Sequence, residues 1–176
     1  MLDLSRLKLP SPHPIWTEAG SNPVSTTKAT VVTWLLMNVY KTGERLHKMK
    51  KVKTPKCVLC SDPLESQLHF ALQCPTLQEI RSQYMGKFIE ACPLIEKCQS
   101  DQKLLFLALL DPYSSYLPED LRESWKNKEL AYELSRNYFF ALHKKREKVM
   151  ETSINEQNQP ENEDVTQIII NVYQNI

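Results

Sequence analysis

The chain has 176 residues, of which 41% are hydrophobic and 24% are charged, and its 22 Lys and Arg nearly balance 21 Asp and Glu to a net charge of +1. These values predict one globular domain of ordinary size, and the balanced charge excludes a whole-chain attraction to nucleic acid or to anionic membranes. Only three glycines are present, which excludes glycine-rich phosphate loops and disfavours turn-dense all-β folds.

The cysteine count and the hydropathy pattern bear on the cellular location. Five cysteines are an odd number, which fits a secreted disulfide framework poorly. No apolar run approaches the roughly 20 residues that cross a bilayer, and residues 1–14 lack the apolar core of a signal peptide. We therefore expect an intracellular, reducing location in the nucleus or the cytoplasm, without membrane contact, where clustered thiols bind metal more often than they form disulfides.

The hydrophobic periodicity predicts a mostly α-helical fold with a small irregular insert that carries cysteine and histidine. A first helix is expected to stop at Thr42-Gly43, and a later one to end at Cys92-Pro93. Prolines argue against any long helix at the start of the chain. Acidic residues without bases predict disorder at its end. The expected segments are an irregular leader, a helical module around the insert, a C-terminal helical region and an acidic, disordered tail: residues 1–24, 25–92, 93–150 and 151–176.

Two helices are predicted in the C-terminal helical region. Ser100-Asp101 is an N-cap for the apolar stretch Leu104–Leu110, which is hydrophobic nearly all round and is therefore expected to be buried. Pro118-Glu119-Asp120 is expected to open the longest helix, because proline and acids favour a helix N-terminus. Its apolar stripe runs over Leu121–Leu142.

The irregular insert contains a cluster of metal-ligand residue types. Cys57, Cys60, His69 and Cys74 follow the spacing C-x2-C-x8-H-x4-C. Two cysteines with two residues between them direct both sulfurs to one point, as a tetrahedral Zn²⁺ requires. Four residues separate His69 from Cys74, so a helix there must loosen or end near Cys74. Three thiolates and one imidazole fill all four coordination positions of a tetrahedral zinc ion. The sequence therefore predicts a closed structural zinc site in residues 25–92.

The residues alone leave alternatives open. The cysteines can be core residues that cluster by chance, as we expect for Cys92 and Cys98. The CxxC pair can also be a redox couple, although no βαβ pattern surrounds it. Glu65 is a candidate to support the site, either by accepting a hydrogen bond from the second imidazole nitrogen of His69 or by capping the helix that carries it, and the alternative is a solvated carboxylate.

The order of these residues resembles the zinc-binding region at the C-terminus of non-LTR retrotransposon reverse transcriptases. The resemblance covers about residues 28–90, and the residues that carry it are Thr42-Gly43, Cys57, Cys60, Glu65-Ser66, His69, Cys74-Pro75 and Arg81. It implies that Cys57, Cys60, His69 and Cys74 hold a metal, and that the module helps to hold template RNA or target DNA. The polymerase of those elements needs paired catalytic aspartates, and no two of the aspartates here are adjacent. We therefore expect no enzyme activity and no small-molecule substrate.

Residues 41–56, which we call the basic segment, contain seven Lys and Arg and one acid, Glu44. Because each neutralised phosphate releases counterions, this segment predicts non-specific, salt-dependent binding of RNA or DNA, and the alternative is a solvated helix face. Tyr40 and Phe70 are candidates to stack on bases, whereas Trp34 is expected in the core. The predicted nucleic-acid contacts are Arg45, Lys48, Lys50, Lys51, Lys53, Lys56 and, two turns beyond Cys74, Arg81.

The second functional hypothesis is a protein-interaction domain. In it, zinc only stabilises the fold, and the apolar helices Leu104–Leu110 and Leu121–Leu142 dock a protein partner. Both hypotheses require the same metal site, so the placement of the basic residues and of the apolar helices distinguishes them.

Overall fold

The computed structural model describes residues 12–157, and all regular structure within them is helical, as predicted. No helix in this part of the chain is both long enough and apolar enough to cross a membrane. The α-helices are α1 (Pro14–Thr17), α2 (Pro23–Leu36), α3 (Gly43–Lys48), α4 (Gln78–Ala91), α5 (Gln102–Leu110), α6 (Glu119–Glu123) and α7 (Lys128–Gln157). A π-helical turn (His69–Gln73) and two 3₁₀ segments (Pro75–Leu77 and Pro93–Ser100) complete the regular structure.

Helix α7 lies at the centre of the fold, because α1, α2, α4 and α5 all pack against it. Its apolar stripe is buried, and Tyr132, Tyr138, Phe139 and Leu142 are each at most 1% exposed. Full burial of a large apolar side chain contributes about 1.5–3 kcal/mol relative to its exposure. The buried residues form one core that extends from Ile15 to α7 and crosses the expected boundary between the two helical regions.

Polar side chains of α7 bind backbone carbonyls of distant segments. The guanidinium of Arg136 donates to the carbonyls of Ile15 at 3.3 Å and Glu18 at 3.0 Å. The hydroxyl of Tyr138 donates to the carbonyl of Ala71 at 2.5 Å. Since these carbonyls are buried or partly buried, the hydrogen bonds satisfy groups that would otherwise be costly to desolvate. They hold α1 and the π-helical turn against α7.

The segment expected to be an irregular leader is partly helical. Pro14 and Pro23 are each the first residue of a helix, a position where the missing N–H of proline has no partner to lose. The side chains of His13 and Asn22 cap these two helices by accepting hydrogen bonds from backbone N–H groups. The prolines therefore start helices in this segment, and α1, the helix that lies wholly within its described residues, has only four residues, which agrees with the expected absence of a long helix. Residues 1–11 lie outside the described residues.

The expected helix stop at Gly43 is wrong. Helix α2 already ends at Leu36, and Asn38 takes the left-handed conformation with φ +53° just after it. Gly43 instead begins α3, whose N-cap is Thr42, with its hydroxyl 3.3 Å from the N–H of Arg45. The glycine is used here for a close backbone approach and not for a helix end.

The longest helix predicted from Pro118-Glu119-Asp120 onward is two helices, α6 and α7. Asn127 interrupts the pattern, because its side-chain oxygen accepts the N–H of Leu130 at 2.6 Å and so caps α7. Helix α7 then continues to Gln157, seven residues into the segment expected to be a disordered tail. Residues 158–176 lie outside the described residues, so disorder in that part of the tail stays a prediction.

The apolar helices expected to dock a protein partner lie in the core. Asp101 caps α5 as predicted, and its carboxylate accepts two N–H groups of the first turn. Leu105 and Leu109 of α5 are 5% and 0% exposed, and Leu121 of α6 is 3% exposed. These faces are covered by the chain itself, which removes them as a docking surface.

Candidate metal centre and basic surface

The structure brings the four predicted metal ligands together. Cys57 Sγ lies 3.9 Å from Cys74 Sγ, and Cys60 Sγ lies 3.3 Å from His69 Nε2. Tetrahedral Zn²⁺ with Zn–S bonds of about 2.3 Å separates two sulfurs by about 3.8 Å. The spacing and the donor set therefore fit a four-coordinate zinc ion. The ligand atoms of Cys57, Cys60, His69 and Cys74, called the CCHC cluster below, all lie within 4.8 Å of one another.

The first two cysteines lie on a tight turn. The N–H of Cys57 donates to the carbonyl of Asp62 at 2.8 Å, and the N–H of Ser61 donates to the carbonyl of Cys57 at 3.0 Å. Ser61 adopts the left-handed conformation, with φ +62°. The backbone N–H groups of Leu59 and Cys60 hydrogen-bond to the sulfur of Cys57. Amides directed at a sulfur stabilise its thiolate form, which is the form that binds a metal.

The other two ligands are separated by the π-helical turn. The N–H of Cys74 donates to the carbonyl of His69 at 2.8 Å, so the hydrogen bond spans five residues instead of four. This wider turn accommodates the four residues between the ligands and directs both side chains to one side. The predicted loosening of the helix between His69 and Cys74 is confirmed.

The imidazole of His69 faces a carboxylate, although not the expected one. Its Nε2 points at the CCHC cluster, and its Nδ1 lies 3.9 Å from a carboxylate oxygen of Asp62. This separation is longer than a hydrogen bond, so the half-exposed Asp62 is an electrostatic neighbour of the ring. The expected hydrogen bond from His69 to Glu65 is wrong, because the carboxylate of Glu65 points to other groups.

Glu65 is fully buried and joins three parts of the fold. Its two oxygens accept hydrogen bonds from Arg146 Nε at 2.9 Å and Arg146 Nη2 at 3.0 Å, in a two-point ion pair with α7. The second oxygen also accepts the N–H of Gly43 at 2.6 Å, at the start of α3, and the first lies 3.8 Å from Cys57 Sγ. Glu65 therefore caps α3, rather than the turn that carries His69.

The electrostatics of the thiols bear on the redox alternative. Burial raises the pKa of Cys57, and the carboxylate of Glu65 raises it further, while the amides of the CxxC turn oppose both effects. Burial also raises the pKa of Cys74. A redox-active cysteine needs a lowered pKa so that its thiolate forms near neutral pH. The metal-free thiols of Cys57 and Cys74 have the opposite property, whereas a bound metal would displace their protons.

The two remaining cysteines are core residues, as predicted. Cys92 is 0% exposed and Cys98 is 7% exposed. The sulfur of Cys92 contacts the hydroxyl of Ser124 at 2.8 Å. All five cysteines are free thiols.

The basic segment is a mostly exposed surface beside the CCHC cluster. The turn after α3 is held by the N–H groups of Lys50 and Lys51, which donate to carbonyls of α3 at 2.9 Å. Lys48 pairs with Glu44 at 2.6 Å, and the half-buried Arg45 has a buried Nε with no hydrogen-bond partner. The exposed lysines of this surface are Lys48, Lys50, Lys51, Lys53 and Lys56.

A cavity of about 330 Å³ opens between the basic segment and the end of α7. Lys53 and Lys56 are in its lining, together with the aliphatic side chains of Leu46, Val58 and Met150. The basic surface therefore offers apolar contact as well as positive charge.

Arg81 is not on the basic surface. It is 5% exposed, and its guanidinium donates to the carbonyl of Cys74 and to the amide oxygen of Gln78, the latter at 2.9 Å and 3.1 Å. The expected contact of Arg81 with a nucleic-acid phosphate on that surface is wrong, because the side chain folds back onto the segment that carries the metal ligand.

The expected roles of the aromatic residues are also wrong. Tyr40 and Phe70 are 3% and 0% exposed, and they stack on each other with ring centroids 4.8 Å apart, so neither face is open to a base. Trp34, expected in the core, is 40% exposed and meets the ring of His143 edge-on.

Two residues of this region escape sequence reasoning, Asp62 and Arg146. Asp62 carried a usable signal, because it lies two residues after the CxxC pair and within reach of any ligand on that turn. Arg146 lies in a run of basic residues near the predicted end of a helix, where favourable interaction with the helix dipole already explains positive charge. Its signal is the spacing, since it continues the apolar stripe of Phe139 and Leu142 at intervals of three and four residues.

Comparison with known families finds a similarity in this region. Residues 8–80 match the family model described as zinc-binding in reverse transcriptase. The match contains the whole CCHC cluster and the whole basic segment, and it confirms the resemblance found in the sequence. No curated protein and no solved structure matches the chain. Helix α7, which supplies Arg146, lies outside the matched residues.

Proposed function

We propose that the CCHC cluster binds one Zn²⁺ ion as a closed structural site. The observation that carries this proposal is the convergence of three sulfurs and one imidazole nitrogen within 4.8 Å. The match of residues 8–80 to a zinc-binding family supports it. When bound, the ion supplies a cross-link between the CxxC turn and the π-helical turn. The amides of the CxxC turn stabilise the thiolate of Cys57.

Titration of the metal-free full chain with Co²⁺ tests the ligand set. We expect one cobalt ion per chain, with thiolate charge-transfer absorption and the intense visible bands of tetrahedral cobalt, both lost when Zn²⁺ is added. Cys60→Ser should weaken binding and reduce the charge-transfer absorption. Cys98→Ser, which changes a thiol outside the CCHC cluster, is the matched control. An unchanged spectrum in Cys60→Ser would contradict the proposed ligands.

The zinc-stabilised module binds RNA or DNA through the basic segment. The supporting observation is the group of exposed lysines that ends at Lys56, next to the first metal ligand. Because the metal would hold this turn, the charges are presented on a surface that is already ordered before binding, which reduces the entropy lost on association. The proposed function is binding alone, without polymerase or nuclease activity. No two aspartates are adjacent, which argues against polymerase activity.

Neutralising lysines tests the nucleic-acid proposal. In the zinc-loaded chain, we expect the triple change Lys50→Gln, Lys51→Gln and Lys56→Gln to weaken binding to labelled RNA and DNA oligonucleotides. The slope of log affinity against log salt should fall by about 0.7–0.9 for each contacting lysine removed. Fluorescence anisotropy at several salt concentrations measures both quantities.

A matched control removes the same charge elsewhere. Lys97, Lys103 and Lys126 are exposed and lie outside the basic segment, so changing these three to Gln should leave the salt slope near that of the unmodified chain. Equal slopes in the two triple variants would show that net charge alone determines binding. In that case the basic segment is not the interface.

A further inference from the structure

A second cavity, of about 300 Å³, lies between the first turns of α4 and α5, apart from the basic segment. None of its lining residues is a Lys, an Asp or a Glu. Its polar lining consists of one cation and neutral side chains: Arg81, Gln78, Ser82, Gln99 and Gln102. Such a lining offers hydrogen-bond donors and one positive charge, with no acid to neutralise that charge.

Arg81 has a donor that the fold leaves unused. Its Nε and Nη2 bind the carbonyl of Cys74 and the amide oxygen of Gln78, but its Nη1 is buried and has no hydrogen-bond partner. No Asp or Glu among the described residues pairs with this guanidinium. Burial lowers the pKa of Arg81, which reflects the desolvation of its charge. A buried donor and charge without a partner destabilise a fold unless a ligand supplies the acceptor.

The adjoining helices add further donors. Gln78, the first residue of α4, and Ser82, one turn later, both line the cavity, and the Nε2 of Gln78 donates to the hydroxyl of Ser82 at 3.3 Å. The N-terminus of α5 is already capped by Asp101, and it contributes Gln102 instead. The amide oxygen of Gln102 accepts a hydrogen bond from Gln73 at 2.6 Å, which leaves its NH₂ group to donate.

We propose that this cavity binds a carboxylate group carried on an aliphatic stem. One guanidinium and neutral amides match the single charge and two acceptor oxygens of a carboxylate. A phosphate dianion would need more positive charge than one arginine supplies, and the thiolate ligand Cys74 lies next to Arg81. The side chains of Leu72, Met85 and Leu105 form the apolar wall that would receive the stem.

Titration of the zinc-loaded, ¹⁵N-labelled full chain with butyrate tests this proposal. We expect saturable shifts of the amide resonances of Gln78, Ser82 and Gln102, and much smaller shifts with the neutral analogue butyramide. Gln102→Glu places a like charge at the cavity and should weaken butyrate binding about tenfold, which corresponds to about 1.4 kcal/mol. It leaves the contact between Arg81 and Cys74 intact. Gln83→Glu makes the same charge change at an exposed position of α4 outside the cavity, and butyrate affinity should stay unchanged.

The source of the carboxylate is distinguished by two short peptides ending in leucine, one with a free C-terminus and one amidated. Tighter binding of the free peptide than of butyrate identifies a peptide chain end, and equal or weaker binding identifies a free acid; both support the proposal. Absence of saturable shifts with butyrate overturns it. Equal shifts with butyramide, tighter binding of inorganic phosphate, or an unchanged affinity in Gln102→Glu overturn it as well.

Discussion

The ion pair between Glu65 and Arg146 joins the metal-binding region to the C-terminal helix. Glu65 is 0% exposed and Arg146 is 2% exposed, so both charges have lost their water. Burial of a charge is costly unless a partner of opposite charge and further hydrogen bonds replace the water. Glu65 receives both from Arg146 and from the N–H of Gly43.

Glu65→Gln should destabilise the zinc-loaded chain by about 3–5 kcal/mol, because it leaves the guanidinium of Arg146 buried without its opposite charge. Chemical denaturation measures the change in the free energy of unfolding. Glu44→Gln is the control, since Glu44 forms an exposed pair with Lys48 and should lose only about 0.3–0.5 kcal/mol. If Glu65→Gln lost no more unfolding free energy than Glu44→Gln, the buried ion pair would contribute little to stability.

His143 makes stability depend on pH near neutrality. Burial lowers the pKa of His143 below its ordinary value, with Arg146 and Lys144 acting in the same direction and Glu147 opposing them. Below pH of about 6.5 the unfolded chain therefore binds the proton more readily than the folded chain. The contribution of His143 is present above that pH and is lost as the pH falls through the unfolded value toward the folded one.

The free energy of unfolding should thus fall more steeply between pH 7.5 and about pH 5.5 in the unmodified chain than in His143→Gln. Comparing the two chains removes the pH dependence of the metal ligands, which they share. His47→Gln, at an exposed histidine, should keep the steeper dependence. Parallel pH profiles of the unmodified chain and His143→Gln would contradict the expected effect of burial.

Substituting the glycines of α3 and α4 by alanine should change the stability of the chain in opposite directions. A Cβ at Gly43 would lie 2.5 Å from the carbonyl oxygen of Lys56 and 2.7 Å from that of Pro55, and both are backbone atoms next to a metal ligand. Gly43→Ala should therefore destabilise the chain by about 1–3 kcal/mol. Gly86 lies inside α4 with nothing within 4 Å of its Cβ position, so Gly86→Ala should stabilise by about 0.5–1 kcal/mol. Thermal unfolding of the two variants checks both signs, and stabilisation by Gly43→Ala would exclude the close approach.

The sequence predicted those elements whose signals are local. Asp101 and Cys92-Pro93 mark helix ends through capping and proline chemistry, and the spacing of His69 and Cys74 required the π-helical turn. The prediction at Gly43 was wrong because its close approach to the backbone of Pro55 and Lys56, 12 and 13 residues further along the chain, leaves no local sequence signal. The break between α6 and α7 was missed since Asn127 sits within a continuous apolar stripe, where a cap and an interior asparagine look alike.

The described residues form one core, as expected for one globular domain, but sequence reasoning did not foresee that α7 holds the metal-binding region. The family match ends at residue 80, yet Arg146 of α7 holds Glu65, and Tyr138 of α7 holds the π-helical turn. Tyr138 is 67 positions from Ala71 in the sequence, and Arg146 is 81 positions from Glu65. Such contacts depend on how α7 crosses the module, and no short-range sequence pattern encodes that crossing. The metal ligands were predictable because their chemistry restricts both residue type and spacing.

This shared core predicts that metal removal loosens one part of the chain and leaves the rest folded. Without the ion, the CxxC turn loses its bonds through the metal to the π-helical turn, and the α-helices of the fold leave out residues 54–74. The packing of α2, α4 and α5 on α7 does not involve the ligands, so much of the helical structure should persist.

Hydrogen exchange after chelation should therefore show protection lost in residues 42–74 and retained in the centres of α4 and α7. Cys60→Ser should reproduce this pattern, and Cys98→Ser should not. Loss of protection throughout the chain would mean that the ion is needed for the entire fold, as in isolated zinc fingers, and unchanged protection would mean that it has no structural role.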